Sequence, residues 1–310
     1  MWPEVFSVKQ KCYPLMQGIS HSGGIMLKKI GFVGLGTVGV HMAANLAKSD
    51  YQLTVFDQDA NAMAELAKLG VKVGESPMAT AKGQDLVIVI VPESKFLVFG
   101  ENGVLEGIDP GTILVDMGTH CLETIERMAE EAKKRRVMFL EAPVWGSKEH
   151  AANGLLTILA GGDEALLGRC REPFSYFGLN IIHIGKIGDA TRMKLIVNLL
   201  QAEMMQSLSE GLVFGEKMGF KPDKILEVLD SGGVASPLFH SKGRSIARGD
   251  FSRNLALKYV DSQMLRVLEM ADKLGLELPA AKTVAGIFRQ AVQDGRGEED
   301  FSAIVKLLRR

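Results

Sequence analysis

The chain has 310 residues, 46% of them hydrophobic and 24% charged, with a formal net charge of −1. That length supports two domains with separate cores, and the near-neutral charge gives no electrostatic ground for binding nucleic acid or an anionic membrane. The three cysteines, Cys12, Cys121 and Cys170, form no Cys-x-x-Cys and point to a reducing, cytoplasmic setting, and no apolar run approaches the roughly 20 residues that span a bilayer.

Residues 1–25 contain neither the apolar core of a signal peptide nor an Arg-rich amphipathic pattern, and read as a disordered extension or an overlong gene start. Met26 stands just before the first strand, Ile30 to Val33, which breaks at Gly34-Leu35-Gly36-Thr37-Val38-Gly39. This Gly-x-Gly-x-x-Gly turn leads into a helix over Val40 to Lys48. In such a turn Gly34 allows the tight bend, Gly36 lets the backbone approach a pyrophosphate, and Gly39 lets helix and strand pack closely. The phosphates then meet unpaired N–H groups at the positive end of the helix. A second strand, Gln52 to Phe56, ends in Asp57, 18 residues after Gly39, where the dinucleotide fingerprint places an acid on the adenosine ribose. A carboxylate there repels a 2′-phosphate, and Gln58-Asp59-Ala60-Asn61 offers no cation to attract one. The expected cofactor is NAD rather than NADP.

Strand and helix patterns continue to alternate, as a doubly wound parallel sheet requires. Strands are expected at Leu86 to Ile90, Thr112 to Asp116, Met138 to Glu141, Leu156 to Leu159 and Ile181 to His183. Helices are expected at Asn61 to Leu69, Leu122 to Arg136 and Glu164 to Phe174. Val91-Pro92 and Met117-Gly118-Thr119-His120 follow strands on the edge where a nicotinamide would lie; the Thr119 hydroxyl suits cofactor or substrate, whereas His120, in a loop, is expected to be solvated. Beyond Gly188 no strand is evident. Ala190 to Met218 reads as one helix of about eight turns, followed by helices at Pro222 to Asp230, Leu255 to Leu274, Ala280 to Val292 and Phe301 to Leu308. The expected architecture is an α/β Rossmann domain, residues 26–187, joined by a long interdomain helix to an all-α C-terminal domain, residues 188–310. The dispersed histidines suggest no metal site.

Hydride transfer needs a proton partner. Lys194 and Asn198 are four residues apart on the long helix and so share one face, among the apolar Met193, Leu195, Ile196, Val197, Leu199 and Leu200. Either Lys194 snorkels to water and Asn198 caps backbone, or both face a cleft, with Lys194 exchanging the proton and Asn198 orienting the substrate. Burial would then draw the lysine's pKa towards working pH. A second constellation, Glu141-Ala142-Pro143-Val144-Trp145-Gly146-Ser147-Lys148, sits at a strand's carboxyl end, where Gly146 offers its backbone to an anion or simply closes a turn.

Taken together these segments resemble the β-hydroxyacid dehydrogenases over residues 27–308. The family's Gly-Leu-Gly-x-Met-Gly-x-x-Met-Ala-x-Asn-Leu appears as Gly34 to Leu46, its Asp-x-Ser-Thr as Asp116 to Thr119, its Glu-Ala-Pro-Val-Ser-Gly-Ser as Glu141 to Ser147, and its Lys-x-x-x-Asn helix as Lys194 to Asn198. The resemblance implies NAD(P)-dependent interconversion of a 3-hydroxy acid and its semialdehyde, with Lys194 as general acid and base. It also implies substrate held by Asn198, Gly146, Thr119 and the residue at Trp145, and a homodimer or homotetramer. The cofactor would be held by Gly34 to Gly39, Asp57, Val91, Pro92, Thr119 and Ser262. Three positions depart from the family: Trp145 and Gly118 replace serines, and the family's Lys-Asp pair falls on Ser262-Gln263. These changes should weaken the hold on a small carboxylate. Two alternatives stay open: an imine reductase-like enzyme with an apolar pocket, which Lys194 argues against, and a catalytically degenerate NAD-binding interaction module, a class that typically lacks the lysine.

Overall fold

The computed structural model describes residues 27–91 and 95–309; the expectations for residues 1–25 and for Pro92 lie outside them. Nine strands form one sheet: β1 Lys29–Val33, β2 Gln52–Phe56, β3 Lys72–Val73, β4 Leu86–Val89, β5 Ile113–Asp116, β6 Met138–Glu141, β7 Val144–Trp145, β8 Leu156–Gly161 and β9 Gly178–Gly185. Six of them lie parallel in the order β3-β2-β1-β4-β5-β6. This order reverses direction between β1 and β4, which opens the crevice where open α/β sheets bind ligands.

The apolar runs that mark these strands are continuous because both faces are covered. Ile30, Phe32, Leu86, Ile88, Ile113 and Val115 enter one core, and the alternate residues Val33, Val87, Val89 and Leu114 enter another, as a side-chain period of two dictates. The sheet is not parallel throughout. β8 runs antiparallel to β6 and β7, while β9 is parallel to β8. The segment between β7 and β8 holds only the short helix Lys148–Ala152, too little for a crossover, so the chain turns back on itself as in a hairpin.

From Asp189 the chain is helical: the long helix Asp189–Lys217, then Pro222–Asp230, Pro237–Arg248, Leu257–Lys273 and Pro279–Ala291, then a 3₁₀ turn Phe301–Ile304 leading into Val305–Leu308. They share a third core that includes Met205, Leu212, Met264, Phe288 and Phe301. The helix Pro237–Arg248 falls in a stretch to which the sequence pattern assigns no element. Its start is signalled by Ser236, which accepts from the Phe239 N–H, with Pro237 in the first turn. Gly243 interrupts its apolar period for a packing reason: a Cβ there would lie 2.3 Å from Leu226 Cδ2. The helix Leu257–Lys273 ties back to the sheet through a Lys273–Glu123 ion pair and through Arg266, which donates to the Thr119 carbonyl at 3.0 Å.

Candidate active site

The glycine turn sits at the crevice, between β1 and the helix Gly39–Leu46. Gly34 has φ +107°, and a Cβ there would lie 2.2 Å from the Ile90 carbonyl oxygen. At Gly39 a Cβ would lie 2.2 Å from the Gly34 carbonyl oxygen. Gly36 differs: a Cβ there would meet nothing within 4 Å. Protein packing therefore explains Gly34 and Gly39 but not Gly36, whose exposed backbone forms a cradle that a side chain would fill. Beside it the helix begins at Val38 with no side-chain cap and no acid in its first turn, leaving its positive end available to phosphate. Leu35 is buried beneath the turn and Thr37 is exposed on it. Val91 is buried, with Cγ1 against Gly34. Asp57 Oδ2 accepts from the Leu35 N–H at 2.5 Å and Oδ1 from the Asp59 N–H at 2.8 Å; each oxygen keeps a lone pair for a ribose hydroxyl. These residues fit a dinucleotide.

On the long helix the expected amphipathicity is inverted near its start. Lys194 and Asn198 are 7% and 3% exposed, whereas Ile196 and Leu200 are 52% and 53% exposed. A snorkelling lysine would show the opposite pattern. The buried stripe runs Ala190, Thr191, Lys194, Asn198, Ala202, Met205, so both polar residues lie on the face turned towards the sheet. Lys194 Nζ donates to the Val144 carbonyl at 2.8 Å. Burial lowers its pKa from 10.5 to about 7, because a desolvated ammonium is penalised relative to the amine. Asn198 Nδ2 is buried with no hydrogen-bond partner among the described residues, an expensive state unless a ligand completes it.

The start of the helix that carries Lys194 is anchored by Glu141, a role not visible in the sequence. Glu141, at the end of β6, is fully buried. Its Oε1 accepts from the N–H groups of Gly188 and Ala190, and its Oε2 from the N–H and hydroxyl of Thr191. A carboxylate thus caps the first turn of a helix whose own N-cap, Gly188, has no side chain. Burial raises the carboxyl pKa while those hydrogen bonds oppose the rise.

Lys194 and Asn198 line a cleft with Gly118, Thr119, His120 and Pro143. The expectation that His120 is solvated is overturned: it is 4% exposed, and its Nε2 lies 3.1 Å from Asp116 Oδ1. Its ring folds back under the loop because residue 118 has no side chain to occupy that space. Of the other expected residues, Trp145 is 47% exposed and follows the Val144 carbonyl that holds Lys194. Gly146 has φ +149°, a backbone conformation that L side chains rarely adopt, so the turn itself requires that glycine. Ser262 is half-buried on the helix Leu257–Lys273 and is not among the residues lining the cleft. Arg266, one turn further on, is the side chain of that helix that reaches the Thr119 loop. Among the described residues no cluster of histidine, cysteine or carboxylate could hold a metal, and no helix is long and apolar enough to cross a membrane.

Comparison with known proteins places this geometry among relatives. Residues 29–185 match the family described as the NAD-binding domain of 6-phosphogluconate dehydrogenase. Residues 188–308 match the NAD-binding family of NADP-dependent 3-hydroxyisobutyrate dehydrogenase. Glyoxylate/succinic semialdehyde reductase 1 of Arabidopsis thaliana is 34% identical over 284 residues, covering 91% of this chain and 98% of that protein. The human cytokine-like nuclear factor N-PAC is 32% identical over 282 residues, covering 90% of this chain; the chain spans only 51% of that protein's length. Among solved structures, Mycobacterium tuberculosis 3-hydroxyisobutyrate dehydrogenase with L-serine superposes with a TM-score of 0.83 at 26% identity, covering 92% of this chain and 100% of that one.

Proposed function

This chain belongs to the β-hydroxyacid dehydrogenase family and is an NAD(P)-dependent hydroxyacid dehydrogenase, and from that premise we propose that it interconverts a 3-hydroxy acid and its semialdehyde with Lys194 as the proton-transfer residue. The observation that carries the proposal is the inverted helix face, which turns a lysine and an amide inward while apolar side chains point to solvent. A bound nicotinamide supplies or accepts the hydride. In the reductive direction the Lys194 ammonium donates its proton to the substrate oxygen as the carbonyl carbon is reduced. In the oxidative direction the neutral amine takes the hydroxyl proton. A pKa of about 7 keeps both forms populated near neutrality. The Val144 carbonyl holds Nζ in place, Asn198 Nδ2 donates to the substrate, and Thr119 borders the cleft from the cofactor side.

Asp57 supports NAD as the preferred cofactor, since a carboxylate at that point of the fingerprint would repel a 2′-phosphate. The boundary between the cofactor and helical domains is taken at residues 187–188. Exposed apolar side chains on the long helix, Ile196, Leu200 and Phe214 among them, support a homo-oligomer built through the helical part. The test is a cofactor-coupled assay over 3-hydroxy acids, semialdehydes and imines. Turnover of hydroxy acids or semialdehydes is expected. Silence across the panel with NAD binding intact would instead support an NAD-binding interaction module.

A further inference from the structure

The loop Met117–Cys121 follows β5 and is held on several sides. The Met117 N–H donates to the Val89 carbonyl at 2.7 Å, Arg266 donates to the Thr119 carbonyl at 3.0 Å, and Cys121 Sγ lies 3.1 Å from Thr124 Oγ1. Within it His120 is braced against Asp116, and the side chains of the pair are 2% and 1% exposed. A Cβ on Gly118 would lie 2.5 Å from His120 Nε2 and 2.8 Å from the Val91 carbonyl oxygen. The imidazole therefore occupies the space that any side chain at residue 118 would need. The imidazole and the Val91 carbonyl together close the space of a side chain at residue 118.

We propose that His120, fixed by Asp116, is the specificity-determining wall of the substrate cleft, and that its ring sets the chain length of the aldehyde acid accepted beside Lys194. The inference rests on the dehydrogenase reading of that cleft. Its warrant is spatial: His120 lines the same cleft as Lys194, Asn198 and Thr119, and a ring held on a buried carboxylate cannot swing away as a surface histidine would. Specificity follows from volume, since one methylene more or less against a fixed wall changes kcat/KM by about tenfold or more.

The experiment compares kcat/KM for glyoxylate and for succinic semialdehyde, which differ by two methylenes, with NADH as reductant. His120→Ala removes the wall and is expected to raise the ratio of succinic semialdehyde to glyoxylate by about tenfold. His120→Phe restores a ring of similar volume but gives up the bond to Asp116 that fixes it, so it should shift the ratio by no more than about threefold, well short of alanine. Gly118→Ser should lose at least about tenfold in kcat/KM for both substrates, and Gly118→Ser combined with His120→Ala should recover only part of that loss, because the Val91 carbonyl still crowds a Cβ at residue 118. A purely structural histidine would change melting temperature in these variants without moving the substrate ratio. The proposal is overturned if His120→Ala leaves the ratio within twofold, or if His120→Phe shifts it as far as alanine does. If the wild type turns over neither aldehyde, the ratio is read on the shortest and longest aldehyde acids of the panel that it does reduce; silence across the whole panel with NADH bound would overturn the dehydrogenase reading itself, and this assignment with it.

Discussion

The glycine turn after β1 and the cleft around Lys194 are made of different material. The turn is backbone: Gly34, Gly36 and Gly39 act by lacking side chains, and the distances that require Gly34 and Gly39 run to carbonyl oxygens. The cleft is side chain: Lys194 and Asn198 from the long helix, His120 from the loop after β5, with Glu141 and the Val144 carbonyl behind. A backbone site is written in local spacing and tolerates almost no change. A side-chain site is assembled from segments far apart in sequence, and its members can be exchanged if the volume is kept.

The contrast predicts which substitutions separate binding from chemistry. Lys194→Ala should have the largest effect, lowering kcat by about 10³-fold while leaving NADH affinity within twofold, because it removes the proposed general acid and leaves the glycine turn untouched; stopped-flow binding beside steady-state turnover reads both. Gly34→Ala comes next. Its Cβ collides with the Ile90 carbonyl at a φ that disfavours side chains, so a loss of about 3 kcal/mol in denaturant unfolding is expected. Gly36→Ala sharpens the point, since its Cβ faces open space. Its unfolding midpoint should match wild type while NADH affinity falls about tenfold; unchanged affinity would mean the turn does not hold phosphate. Asp57→Ala should reduce the NAD-to-NADP ratio of kcat/KM by about tenfold, and an unaltered ratio would remove Asp57 from cofactor choice.

The same contrast explains what the sequence makes legible. The β1–turn–helix unit and Asp57 are readable because their meaning lies in spacing along one stretch of chain. Lys194 and Asn198 are readable as an anomaly, polar residues within an apolar helix, but only the fold shows which face is inward. Glu141, His120 and Arg266 are not readable by pattern. Each acts on a partner distant in sequence or hidden by a loop: Glu141 caps a helix that begins 48 residues later, and His120 is buried because residue 118 is glycine. The helix Pro237–Arg248 is hidden by Gly243, which serves its packing on Leu226 rather than ending it. The reversal of β8 follows from a connection too short for a crossover.

Burial of Lys194 also ties the chemistry to stability. The folded pKa of about 7 lies below the ordinary 10.5, so between these values the unfolded chain binds the extra proton. Stability should therefore rise with pH across that window, and the burial penalty should be fully present below about pH 7. Lys194→Met should flatten this dependence in thermal unfolding.

The most direct test of the account is the pH dependence of kcat/KM in both directions. With a lysine pKa of about 7, aldehyde reduction should decline as pH rises through that value, because the ammonium is lost. Alcohol oxidation should decline as pH falls through it, because the amine is lost. Mirror-image profiles crossing near neutrality in the wild type, and absent from Lys194→Ala, are the predicted result. Profiles that are flat across neutrality, or that persist without the lysine, would contradict the assignment of Lys194 as the proton-transfer residue.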